Sequence, residues 1–160
     1  MDKLHRTLYI LAGLLFVAFL PWNVYNEFFD ETRMSVEVSA SSDSCKIALD
    51  DGSSVELAKK STFIYAKRFG DSQRKSELKG SAKFLIINDD RPFRLKVRRF
   101  MIETNQSSFT LQEDGLVING TNQSGELVLY EYDESGDPIE KYFIHEGDRF
   151  ELSGHVRLIK

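Results

Sequence analysis

Residues 50–69 read DDGSSVELAKKSTFIYAKRF. Asp51-Gly52 supplies a turn, since glycine accepts the positive φ that a tight reversal needs. Val55 and Leu57 follow at a spacing of two, and beyond a short polar break Phe63 and Tyr65 repeat it. Side chains alternate across a strand, so each pair marks one buried face, and the stretch reads as strand, turn, strand.

The same rhythm continues outward in both directions. Apolar pairs or triplets recur at Met34-Val36-Val38, Ile47-Leu49, Phe84-Ile86, Phe93-Leu95-Val97, Phe100-Ile102 and Phe109-Leu111. They recur again at Leu116-Ile118, Leu127-Leu129, Tyr142-Ile144, Phe150-Leu152 and Val156-Leu158. Turn signals rich in Gly, Asp and Asn separate them, and no helical period is sustained after residue 30. The expected class is all-β. Short strands must share one core, so a β-sandwich, a jelly-roll or a short irregular β-solenoid is expected.

Residues 7–26, TLYILAGLLFVAFLPWNVYN, carry no charge. Twenty residues at about 1.5 Å each span a bilayer core as a helix. Lys3 and Arg6 precede the run and Glu27, Asp30 and Glu31 follow it, which orients the N-terminus towards the cytoplasm. No small-x-small cleavage site lies close behind, so an uncleaved signal anchor is expected. The expected organisation is a cytoplasmic tail at 1–6, a single-pass membrane helix at 7–26, a linker at 27–43 and a periplasmic β-domain at 44–160, tethered to the inner membrane. Cys45 is the single cysteine, so no intrachain disulfide supports that domain.

Charge is segregated along the chain. Residues 59–99 hold thirteen Lys and Arg against four Asp and Glu, whereas residues 100–160 hold four against twelve. In RPFRLKVRRF, residues 91–100, Arg94, Lys96 and Arg98 alternate with Phe93, Leu95 and Val97. A strand here sets the three cations about 7 Å apart on one face, a candidate docking stripe for an acidic partner protein or anionic headgroups; a solvated outer face, or an edge strand guarded by charge, is the competing account. Base-stacking aromatics are not interleaved with these cations, so nucleic acid is not an expected partner.

No catalytic constellation is visible. His145 and His155 lie ten residues apart, a spacing that matches no compact metal motif. Asp50-Asp51 and Asp89-Asp90 sit in turns, where Asp satisfies local backbone donors. Neither a nucleophile elbow nor a phosphate-binding Gly-Lys loop occurs. The expectation is a protein without enzymatic activity, cofactor or metal.

Read as a longer pattern, Asp51-Gly52-Ser53, Val55, Leu57, Ser61, Tyr65 and Phe69 are followed by Arg74, Leu78, Gly80, Ala82, Phe84 and Pro92-Phe93. In order and spacing this resembles the core of the FecR-type periplasmic domain. The resemblance implies a single-pass regulator whose periplasmic part senses a signalling partner in the envelope and whose cytoplasmic segment holds a sigma factor. The chain departs from it in having six residues before the apolar run, in ending soon after the core, and in carrying Gln106 where Gly is usual. The expected function is therefore a membrane-anchored binding and sensing domain for an envelope protein or signalling partner, without direct anti-sigma activity. The alternative is a bitopic jelly-roll component of lipid or lipopolysaccharide transport, which requires an open apolar groove.

Overall fold

The computed structural model describes residues 35–69, 73–133 and 137–159, and every regular element among them is a strand. The tail and anchor expected at 1–6 and 7–26, with the linker as far as residue 34, lie outside the described residues.

The chain passes back and forth between two sheets. β1 (Ser35–Ala40) opens sheet A, and β2 (Cys45–Ala48) with β3 (Ser54–Leu57) forms a hairpin in sheet B. β4 (Ser61–Ala66) and β5 (Arg74–Lys79) return to sheet A, and β6 (Ala82–Ile86) crosses to sheet B. The hairpin of β7 (Phe93–Val97) and β8 (Phe100–Thr104) lies in sheet A, and that of β9 (Ser107–Asp114) and β10 (Val117–Gly125) in sheet B. β11 (Leu127–Tyr132) and β12 (Pro138–Ile144) complete sheet A, while β13 (Arg149–Leu152) and β14 (Val156–Ile159) complete sheet B.

Sheet A has the order β1-β4-β5-β7-β8-β11-β12 and sheet B the order β14-β13-β10-β9-β6-β3-β2. Both sheets grow in chain order. The architecture is an open two-sheet sandwich that advances strand by strand as an irregular solenoid does. Because β6 intervenes in the other sheet, β5 and β7 lie parallel, with Arg74 beside Phe93 and Glu77 beside Lys96.

Inward positions follow the period of two. Phe63 and Phe93 from sheet A meet Phe84 from sheet B at ring-centre distances of 5.9 and 6.2 Å, and Phe109 stacks on Phe84 at 4.7 Å. Each buried phenylalanine contributes about 1.5–3 kcal/mol relative to an exposed one. Leu57, Ile102, Leu111, Leu129 and Phe150 close the interior with no measurable exposure.

The structure differs from the sequence expectations at two points. The apolar alternation leaves β5 unmarked, because its inward residues are Arg74, Ser76 and Leu78. Leu116 stands in the β9–β10 turn, 85% exposed, so Ile118 alone of that pair is inward. The strand expected around Val36 and Val38 is present as Ser35–Ala40.

Candidate functional site

The turn between β2 and β3 and the first residue of β5 meet inside the protein. Arg74 and Asp51 are both fully buried and form an ion pair at 2.5 Å. The remaining Arg74 donors go to main-chain carbonyls: Nε to Arg91 at 2.9 Å, Nη1 to Ile87 at 3.2 Å and Nη2 to Asn105 at 3.0 Å. Its own N–H donates to the Pro92 carbonyl, and the guanidinium lies 5.8 Å from the Phe93 ring centre. The carboxylate of Asp51 also accepts from the Ser53 N–H and hydroxyl, each at 2.9 Å, and Ser53 Oγ accepts from the Ile87 N–H at 3.1 Å. One arginine thus ties together the β2–β3 turn, the β6–β7 loop and the β8–β9 turn. A buried guanidinium is tolerable only when its donors are satisfied in this way.

The other positions of the family-like pattern support the same frame. Gly52 has φ +85°, as the turn requires. Val55, Leu57, Phe69, Leu78, Ala82, Phe84 and Phe93 are core residues, and Tyr65 stacks on Phe63 at 5.3 Å. Gly80, at φ +104°, packs against Ser61; a Cβ there would lie 2.7 Å from Ser61 Cβ. Ser61 Oγ accepts from the Ser81 N–H at 2.8 Å, and so binds the start of β4 to the β5–β6 turn.

At the opposite end of the sandwich the β7–β8 turn supplies two clasps. Arg98 has φ 55° and therefore leaves the line of β7. Its guanidinium donates to the Leu116 carbonyl at 2.5 Å, to the Gly115 carbonyl at 2.9 Å and to Glu113. Arg99 pairs with the buried Glu131 at 2.5 Å and also donates to the Gly154 carbonyl. Glu131 further engages His155 Nδ1 at 2.9 Å and the Val156 N–H at 3.3 Å. Burial alone would raise the Glu131 carboxyl pKa, but hydrogen bonds from Arg99, His155 and Val156 outweigh it and hold the group below its ordinary 4.5.

Of the three cations expected to share a face, Arg94 and Lys96 do so. Arg94 is held by Glu103 at 2.7 Å and by Gln73 at 2.9 Å, and Lys96 projects beside Glu77. Arg98 is committed to the β9–β10 turn, so the stripe ends at Lys96. The pairing registers show what lies next to it. One row across the outer face of sheet A runs Lys96, Met101, Tyr130, Lys141, and the adjacent row runs Arg94, Glu103, Val128, Phe143.

Among the described residues no group of three or more His, Cys, Asp or Glu side chains is placed to hold a metal ion. Two shallow surface concavities are lined by polar residues, one by Glu103, Thr104, Asn105, Gln106 and Glu126 with Val128, the other around Lys59, Lys60, Ser81 and Glu113. The space between the sheets is filled by phenylalanine and aliphatic side chains, an arrangement unlike the open groove that lipid transport requires.

The buried Asp51–Arg74 pair gives the spaced sequence pattern a physical meaning, and the FecR protein family profile matches residues 35–125, from β1 to the end of β10. The chain belongs to the FecR family. Two crystal structures share its fold, each of an anti-sigma factor candidate from Parabacteroides distasonis ATCC 8503. The first, at 2.50 Å resolution, superposes with a TM-score of 0.70 at 16% identity over 79% of this chain and 60% of that one. The second, at 1.65 Å, gives 0.69 at 17% identity over 78% and 59%. This chain therefore spans about three-fifths of the length of those relatives. A search of curated protein sequences returned no match. Sequence reasoning placed Asp51 and Arg74 in one pattern without pairing them, and it missed Arg99 and Glu131. The four-residue spacing of Arg74 and Leu78 was the available signal, since it puts both side chains on one strand face.

Proposed function

We propose that this FecR-family chain is the periplasmic sensing domain of a sigma-factor regulatory circuit, anchored in the inner membrane by residues 7–26, and that it works by binding a protein rather than by catalysis. The observation that carries this reading is the family match across β1 to β10. Within it, the buried charged groups are structural, since Asp51 and Arg74 satisfy each other and nearby backbone. The related crystal structures, of anti-sigma factor candidates, point the same way. A sandwich whose outer face sets side chains of neighbouring strands in register is suited to holding a protein surface, which is what a sensing module must do.

The test is genetic. Removing the gene in the native host should shift transcripts of a single sigma-dependent regulon, and restoring the full chain should reverse the shift. Alkaline phosphatase fused after residue 160 should be active, as expected of an enzyme that matures outside the cytoplasm. An unchanged transcriptome contradicts the regulatory role, and an inactive fusion contradicts the placement.

A further inference from the structure

We propose that the outer face of sheet A over β8, β11 and β12 is the docking surface, and that its partner is a protein presenting apolar side chains bordered by carboxylates. This rests on the reading of the chain as a protein-binding regulator and names the surface that does the binding.

Met101, Val128, Tyr130 and Phe143 stand at neighbouring outward positions on the three strands, in register, and Phe143 is half exposed. Strand spacings of about 4.8 Å and residue pairs of about 7 Å make this a contiguous apolar patch. Aromatic and methionine side chains of this kind form the centres of protein interfaces. Lys96 borders the patch on one side and Lys141 on the other. The Lys141 ammonium lies 5.4 Å from the Tyr130 ring centre and 4.9 Å from that of Phe143, which keeps the cation on the face.

The charge arrangement selects the occupant. Residues 100–160 carry twelve Asp and Glu. At the outward positions of β8, β11 and β12 fixed by the pairing registers, the sole carboxylate is Glu103, and Arg94 neutralises it at 2.7 Å. On these described strands the outward face therefore carries no uncompensated carboxylate, with Lys141 at one border and Lys96, next to Glu77 of β5, at the other. Carboxylates on the partner complement that border. A second copy applied face to face would oppose lysine to lysine, which disfavours self-association. A bilayer is a poorer fit, because interfacial binding needs apolar groups sunk about 5–10 Å among the headgroups, and Met101, Val128 and Tyr130 are half-buried among their neighbours.

The test places a photo-activatable phenylalanine analogue at Tyr130 or Phe143 of the full chain in its native host, with Asn119 and Thr121 on the outer face of sheet B as controls. The expected result is one protein adduct, the same from both test positions and absent from both controls. The adduct protein, identified by mass spectrometry and purified, should then bind the chain directly. Tyr130→Ser and Phe143→Ser should each weaken that binding by at least about 10-fold. Lys96→Glu, a charge reversal that leaves the apolar patch intact, should weaken it as well. A self-adduct, a lipid adduct, equal labelling of both faces, no adduct, or unchanged binding by the folded variants each overturns the proposal. The regulon readout is independent: an intact transcriptional response with no adduct removes the surface alone, whereas adducts without a response remove the regulatory role alone.

Discussion

At the scale of single residues, the Asp51–Arg74 pair is the chain's most consequential contact. Deleting one member of a fully buried ion pair leaves an uncompensated charge, which costs about 3–5 kcal/mol, whereas replacing both with apolar groups is often near neutral. Asp51→Ala should therefore lower stability in urea unfolding by an amount of that order, and Asp51→Ala combined with Arg74→Leu should cost clearly less than the sum of the two single changes, although the Arg91, Ile87 and Asn105 carbonyls then lose their donor. Simple additivity of the two single effects would show that the pair does not act as a unit. Glu131 makes a different prediction. Its carboxyl pKa is depressed in the folded state, so its contribution is fully present above the unfolded value, near 4.5, and is lost as pH falls through the lower folded value. The stability gap between the natural chain and Glu131→Gln should narrow as pH drops below about 4.5. A gap that stays constant down to acid unfolding would refute the clasp.

At the scale of strands, most of the architecture is legible in the sequence, because Val55-Leu57, Phe84-Ile86, Phe93-Leu95-Val97 and Phe109-Leu111 mark the inward faces of β3, β6, β7 and β9 at a spacing of two. β5 is not legible by hydrophobicity, since the residue that opens its inner face is an arginine whose partner lies 23 positions earlier. Arg98 escaped for the opposite reason. It continues the alternation of Arg94 and Lys96, but a left-handed backbone conformation at that position ends the strand and turns the side chain towards the β9–β10 turn. In β10 a close approach replaces a side chain: Gly120 pairs with Phe150, and its missing Cβ makes room for the phenylalanine ring. Gly120→Ala should destabilise the protein by about 1–3 kcal/mol through overpacking. Phe150→Leu should relieve part of that penalty in the double variant, as measured by thermal unfolding. A double variant no better than the sum of the singles would show that the ring is not what Gly120 accommodates.

At the scale of the whole molecule, the chain-ordered growth of both sheets converts a one-dimensional charge pattern into a spatial one. Residues 59–99, rich in Lys and Arg, supply β4 to β7, and the acidic residues 100–160 supply β8 to β14. The protein is therefore banded along the direction in which its strands accumulate, and such a field orients an approaching charged partner. The sequence revealed the segregation but not its geometry, which depends on strand order. It also could not show that Met101, Val128, Tyr130 and Phe143 converge, because they come from three strands spread over more than forty residues. The family relationship was readable in the spacing of Asp51, Arg74 and Gly80. The docking face was readable only in the registers. The account stands most directly on one measurement: expression of the sigma-dependent regulon in cells lacking the gene and supplied with either the natural chain or a folded, membrane-localised Tyr130→Ser/Lys96→Glu variant. The account predicts that the natural chain restores regulation and the variant does not; equal restoration by both would contradict it.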